Sequence, residues 1–293
     1  IVQTLLRWPA QVARWIGWML QPAHRLLRED SRFLRETYAD LVEDGIEPFF
    51  QARRDDCPLC SSNELALHLD VPDLWQGKPG RFRLERCSGC GHIFQNPQLS
   101  IAGLAFYYRD FYDGLGGEGI EQLFGVSGQP YEARADFVLG HCSPKKWLDV
   151  GCGHGHFAHA LGEREAGLHR AGLDLSDGVD DAITRGWIDE AHRGLFVDLA
   201  PSLAERFDVV SMSHYLEHTM DPRAEVAAAS RVLAPGGHFF VEVPDPESWL
   251  GRALGRFWMP WFQPQHLHFV SVANIERLLR ENGMEPVAWQ RAE

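Results

Sequence analysis

Trp147-Leu148-Asp149-Val150-Gly151-Cys152-Gly153-His154-Gly155-His156-Phe157 decides the reading of this chain. An apolar run delivers an acid, then Gly-x-Gly-x-Gly, then helix-forming sequence. That is how a buried parallel strand ends in a tight loop opening onto a helix N-terminus. Glycines let such a loop turn sharply and lie against a ligand, because no Cβ intervenes.

Segments in the order a nucleotide-type cofactor needs follow the loop. Roughly twenty residues on, Ala171-Gly172-Leu173-Asp174-Leu175-Ser176 reads as a second strand ending in an acid, where doubly wound folds hold ribose hydroxyls. Phe196-Val197-Asp198-Leu199 reads as the end of a third strand, with Asp198 placed for an adenine amino group. Phe207 to Met212 reads as the fourth strand, Leu233 to Gly237 as a turn and His238 to Pro244 as the fifth strand. Strands alternating with amphipathic helices, such as Asp221 to Leu233, predict an α/β fold: a doubly wound, mostly parallel, Rossmann-like sheet with right-handed crossovers. A dinucleotide site prefers Gly-x-Gly-x-x-Gly, whereas here the third glycine falls one residue early and His156 takes its place. Asp149 would repel a pyrophosphate, but it suits a cationic amino group such as that of a methionine moiety.

These residues resemble the class I S-adenosylmethionine-dependent methyltransferases. The resemblance rests on Leu148 to Gly155, Asp174, Asp198, Phe207-Asp208-Val209-Val210 with Leu216-Glu217-His218, and Leu233-Ala234-Pro235-Gly236-Gly237, and it covers about 130–290. It implies S-adenosylmethionine as cofactor. Asp149, Gly151, Cys152, Gly153 and Gly155 would lie at the methionine part, Asp174 with Leu175 at the ribose, and Asp198 with Leu199 at the adenine. His214 would lie at the same edge.

The net charge of −13, from 28 basic and 41 acidic side chains, disfavours a nucleic-acid substrate. Cys57-Pro58-Leu59-Cys60 and Cys87-Ser88-Gly89-Cys90 are two C-x-x-C knuckles 26 residues apart. This spacing predicts a tetrahedral structural zinc (Zn2+) site, each knuckle turning both sulfurs toward one ion. A disulfide or redox pair is the alternative. Zinc knuckles with the unpaired Cys142 and Cys152 point to a reducing, cytoplasmic compartment.

Four regions are expected: a helical N-terminal arm over 1–50, a zinc ribbon over 51–98, a connector or lid over 99–130 and the cofactor-binding methyltransferase domain over 131–293. In the arm, Leu5, Leu6, Trp8, Val12, Trp15, Ile16, Met19 and Leu20 form an apolar face at helical spacing with arginines nearby. The run is too short and charged to span a bilayer, and either packs on the protein or makes peripheral membrane contact through residues 1–35. The chain opens on Ile1 and ends at Glu293, just past Pro286-Val287-Ala288-Trp289-Gln290, which reads as a sixth strand; a processed or partial chain is expected.

Methyl transfer to a hydroxyl needs a base, and histidine titrates in the right range. His214, Glu217 and His218 follow the fourth strand, at the edge where open α/β sheets bind ligands. Trp261-Phe262-Gln263-Pro264-Gln265-His266-Leu267-His268-Phe269-Val270-Ser271 is similar to the Tyr-His-Glu-His-Leu-x-x-Phe-Ser-like segment of zinc-ribbon sugar C-methyltransferases, which also carry two C-x-x-C knuckles. That resemblance implies His266 as the base, with His218 and Glu217 assisting. Gln263 and Gln265 replace the family's tyrosine and glutamate, and its long C-terminal extension has no counterpart. Trp249, Leu250, Phe257, Trp258 and Met259, with Trp261 and Phe262, are expected to line a pocket for a cyclic acceptor. The expected activity is O-methylation of a sugar, glycan or other small-molecule hydroxyl. The alternatives are lipid or quinol O-methylation, sugar C-methylation, an RNA substrate, and a non-catalytic cofactor-binding scaffold.

Overall fold

The computed structural model describes residues 38, 42, 45–73, 76–109 and 128–291. The expected N-terminal helix and its membrane contact, and the glycine-rich half of the connector, lie outside them. No helix among the described residues is long and apolar enough to cross a membrane.

Two sheets organise the chain. The first elements are β1 (Leu65–Val71), β2 (Phe82–Cys87), β3 (Ile93–Gln95), α1 (Ile101–Tyr108) and α2 (Gly128–Leu139). The parallel unit then runs β4 (Lys146–Val150), α3 (His156–Gly162), β5 (His169–Asp174), α4 (Gly178–Thr184), β6 (Glu190–Arg193), α5 (Phe196–Leu199), β7 (Phe207–Ser213), α6 (Pro222–Val232) and β8 (Leu233–Glu242). After α7 (Trp249–Leu254) come β9 (His268–Phe269) and α8 (Val272–Glu281).

The five-stranded sheet has the order β6-β5-β4-β7-β8 and is parallel throughout. Its centre, Leu148, Val150, Val210 and Met212, is fully buried, as a sheet covered by helices on both faces requires. The doubly wound expectation therefore holds, with two corrections. The third strand is Glu190–Arg193; Asp198 lies beyond it in the first turn of α5. Glu-Ala-His-Arg carries no apolar run because β6 is the sheet edge, where Glu190 pairs with Arg206 and His169. Residues 286–290 form no strand: Val287 and Trp289 are exposed and pair with nothing in the sheet.

The second sheet, antiparallel in the order β1-β2-β3-β9, carries both cysteine knuckles. Its fourth strand comes from far along the chain: Ile93 pairs with Phe269 and Phe94 with His268. The knuckle turns also dock on the parallel unit. Arg223 and Arg277 both donate to the Leu59 carbonyl, and Asn274 donates to that of Cys90. Cys57, Leu59, Cys87 and Phe94 share one apolar cluster with Leu148, Val210 and Val226. The ribbon and the parallel unit thus bury a common core.

The segment before the ribbon is held tightly. Ser100 caps α1 by accepting from the Gly103 amide. Gly103 lies so close to the preceding chain that an added Cβ would fall 2.0 Å from the Phe49 carbonyl oxygen. Backbone cannot swing aside as a side chain can. Gly103→Ala is therefore expected to destabilise the fold by ~1–3 kcal/mol, the usual range for overpacking. A denaturation midpoint indistinguishable from wild type would show that Phe49 yields freely.

Candidate functional site

The glycine loop lies at the carboxyl end of β4, between two parallel neighbours. Gly151, Gly153 and Gly155 have φ of 75°, 51° and 81°, the left-handed region that side chains disfavour. Gly151 backs onto the ring of Tyr215, which an added Cβ would meet at 2.6 Å, whereas Gly153 faces open space. A loop supported from below and open above is a cradle for a ligand. Cys152 does not line it with its side chain. Its thiol turns into the core against Gly172 and Ile188, and burial pushes its pKa up, so only its backbone remains for a ligand.

Asp174 ends β5 and fastens that strand to the loop. One carboxylate oxygen accepts from the Gly153 amide at 2.8 Å, and the other from the Ser176 amide and hydroxyl. The oxygen bonded to Gly153 keeps a lone pair free. Leu175 beside it is 64% exposed, an apolar surface at the loop's rim. Asp198 is exposed, and Leu199 packs against Gly194. The acid expected before the loop is deep inside: Asp149 is 4% exposed and accepts from the Ser211 hydroxyl at 2.6 Å, which itself accepts from the Trp147 indole. Burial pushes its carboxyl up to about 7, against the pull of that hydrogen bond and of Arg134.

The candidate catalytic residues meet beyond β7. A 3-10 turn, Leu216–His218, places Glu217 fully inside. The histidine segment closes over it, the Leu267 amide donating to the Glu217 carbonyl at 2.7 Å. His218 and His266 rings lie 4.6 Å apart, edge to face. The His266 Nδ1 lies 2.8 Å from the Pro260 carbonyl oxygen, and that of His218 lies 3.1 Å from the Gln265 carbonyl and 2.7 Å from the Tyr108 hydroxyl. Burial pulls both imidazoles below the ordinary histidine value, His266 to about 3. Burial works against Glu217 ionising, but the His214 hydrogen bond and the neighbouring imidazoles outweigh it and hold its pKa near 2.

His214 is different. It follows directly on β7 with φ of 52°, unusual for a residue with a side chain, and its ring is 45% exposed. Its Nδ1 lies 3.2 Å from Glu217 Oε1, and its Nε2 faces Glu242 at 3.9 Å. Burial opposes its charge, yet the two carboxylates raise its pKa above the usual value. A half-exposed imidazole backed by a buried carboxylate is the arrangement of an oriented base. Sequence reading places His214 both among the histidines that could supply a base and with the cofactor, from its position just past β7.

The second histidine, His268, is not at this site. It pairs with His92 at 3.2 Å inside the ribbon sheet. Trp258 and Trp261 are likewise buried against Leu84, Ile93 and Phe269, so they pack the ribbon and do not line an acceptor pocket. Trp249, Leu250 and Phe257 are exposed.

The four cysteines converge. Sulfur separations of 3.6 Å for Cys57–Cys90 and 3.5 Å for Cys60–Cys87 approach the ~3.8 Å edge of a tetrahedron with Zn–S near 2.3 Å. All four sulfurs lie within 4.8 Å of one another, and no disulfide joins them. The donor set fits zinc.

Residues 129–288 match a family described as a methyltransferase domain, more than half of the chain. A ubiquinone biosynthesis O-methyltransferase of Alkalilimnicola ehrlichii is 32% identical over 162 residues, 50% of this chain and 65% of that protein. One from Idiomarina loihiensis is 31% identical over 174 residues, 53% of this chain and 69% of its own length. The chain thus spans just under two thirds of the first relative. A solved SAM-dependent methyltransferase from Thermotoga maritima is 26% identical, with a TM-score of 0.49 over 58% of this chain and 78% of its own. With the ordered glycine loop, Asp174 and five parallel strands on the same residues, the chain belongs to the S-adenosylmethionine-dependent class I methyltransferases.

Proposed function

We propose that the chain methylates a hydroxyl oxygen of a quinol- or phenol-class small molecule, with His214 as the proton acceptor. The His214–Glu217 pair carries this reading: among the histidines at the site, His214 combines exposure with a buried carboxylate on its other nitrogen. S-adenosylmethionine supplies a methyl group already activated on a sulfonium. The chain's task is then to hold the acceptor in line and take its proton. As the acceptor oxygen gains the methyl group, its proton passes to His214 Nε2, and Glu217 stabilises the imidazolium formed. His266, expected from sequence to be the base, is deeply buried and poorly basic, and a base works best near the operating pH. It serves instead to shape the site around Glu217.

The acceptor class follows the relatives, which are named for O-methylation in ubiquinone biosynthesis. A sugar or glycan hydroxyl is the second reading, favoured by the paired C-x-x-C ribbon. Methyl-labelled cofactor with parallel panels of catechols or quinols and of sugar nucleotides separates them. Label in the phenolic products, and a drop of about a hundred- to ten-thousand-fold with His214→Ala, is expected. Label confined to the sugars, or full turnover by His214→Ala, rejects the corresponding half of the reading.

Gly151, Gly153 and Gly155 would cradle the methionine part, Asp174 and Leu175 the ribose and adenine edge, and Asp149 would answer the cofactor's ammonium group. The last role ties affinity to pH. Asp149 must be ionised to pair with a cation, and its pKa without one is about 7. Below pH 7 binding must expel that proton, so affinity should fall by up to ~10-fold per pH unit. Calorimetric titration at pH 6 and 7 should show this loss in wild type and not in Asp149→Asn. An identical loss in the variant would remove Asp149 from the interaction.

Cys57, Cys60, Cys87 and Cys90 would hold a structural zinc, closing a ribbon too small to stand on its own core. Chelation should release one zinc per chain and open residues 51–98 to protease. A chelated protein with the same digestion pattern would show that the shared core alone holds the ribbon.

A further inference from the structure

We propose that Glu217, His218 and His266 form a second metal site, distinct from the cysteine site, that takes a divalent first-row cation. Ligand atoms of the three lie within 4.8 Å of one another. The case rests on how each is left after its hydrogen bonds are made. The His266 Nδ1 faces the Pro260 carbonyl and that of His218 the Gln265 carbonyl. A carbonyl only accepts, so His266 Nδ1 carries the hydrogen and its Nε2 keeps a lone pair, and a metal at the site would hold His218 in the same tautomer. The Tyr108 hydroxyl, 2.7 Å from His218 Nδ1 and 3.3 Å from the Gln265 carbonyl, fits the same assignment by donating to that carbonyl. On Glu217, Oε1 accepts from His214, while Oε2 is buried with no hydrogen-bond partner among the described residues.

Ligand atoms of the three residues thus gather in one place, and one oxygen of the buried carboxylate among them lacks a donor among the described residues. Leaving one buried carboxylate oxygen unpaired is costly. A cation removes that cost. The backbone carbonyls behind the two imidazoles are what metal-binding histidines ordinarily have, since they fix the tautomer and orient the ring. Two nitrogens and one carboxylate oxygen suit Zn2+, Fe2+, Co2+ or Mn2+ over Mg2+ or Ca2+, which prefer oxygen alone. Three protein ligands leave coordination positions open. Because His214 holds the other oxygen of the same carboxylate, the cation would stand directly behind the proposed proton acceptor.

Cobalt distinguishes this site from the ribbon, because thiolate-bound Co2+ adds near-ultraviolet charge-transfer absorption that nitrogen and oxygen ligands do not. The whole chain carrying one zinc per molecule, titrated with Co2+, should take up one further ion per chain, seen as visible d–d absorption without the thiolate band. Glu217→Gln and His266→Ala, each checked by circular dichroism and by retained S-adenosylmethionine binding, should weaken that uptake at least ~10-fold. His218→Ala serves if either variant fails to fold. Absence of a non-thiolate cobalt spectrum in wild type, or equal uptake by the folded variants, would overturn the assignment. The measurement needs no turnover, so its failure is separate from failure of the methyl-transfer reading.

Discussion

The hydrogen bonds that join β9 to β3 are the constraint on which the rest of the structure depends. They carry a segment from beyond the parallel sheet back across the ribbon, pairing Ile93 with Phe269 and Phe94 with His268. On its way that segment passes over the turn after β7, where the Leu267 amide bonds the Glu217 carbonyl. Gln95 ties the two sides again, its amide nitrogen donating to the Gln263 side chain at 2.9 Å. The histidine segment is thus held at both edges, and His266 and Glu217 meet because a ribbon strand and a parallel strand are bridged there. Loosening the ribbon would disturb the site although no cysteine touches it.

Much of the parallel unit was legible because its strands are buried on both faces and read as apolar runs. β4 and β7 are such runs, and the glycines after β4 announce the turn by a conformation that other residues avoid. Asp174 was legible for the same reason, closing an apolar strand at the loop. β6 was not: as an edge strand it carries Glu190, His192 and Arg193, and an edge can satisfy charges that a central strand cannot. The reverse error came at 286–290, where Val287 and Trp289 looked like strand residues but nothing pairs with their backbone. Apolar character reports burial potential, and only pairing makes a strand.

The site was legible as a list and not as a geometry. Both histidine clusters stood out, yet spacing could not say that His266 and His268 face opposite ways. Residues two apart share a face in an extended segment, and these two part only because His266 lies in the turn before β9 begins. Here His268 enters the ribbon sheet beside His92, and His266 turns to His218. The same limit affected the aromatic segment: Trp258 and Trp261 had the composition of a ring-stacking pocket, but they fill the space between β2, β3 and β9.

Glu217 explains why the catalytic assignment moves from His266 to His214. A buried carboxylate must be compensated, and each neighbour contributes according to its own access to water. His266 is enclosed and His218 half-buried, and desolvation keeps both uncharged. His214 reaches solvent on one side and Glu242 on the other, so it alone of the three is driven toward the charged form. One carboxylate thereby divides three imidazoles into two kinds: one drawn toward the charged form, and two kept neutral by burial. That division arises from burial and backbone hydrogen bonds, quantities set in part by the β3–β9 pairing beside the site. The ribbon strand β9 therefore stands beside the half of the site that is desolvated, and the proposed proton acceptor lies on the half that is not.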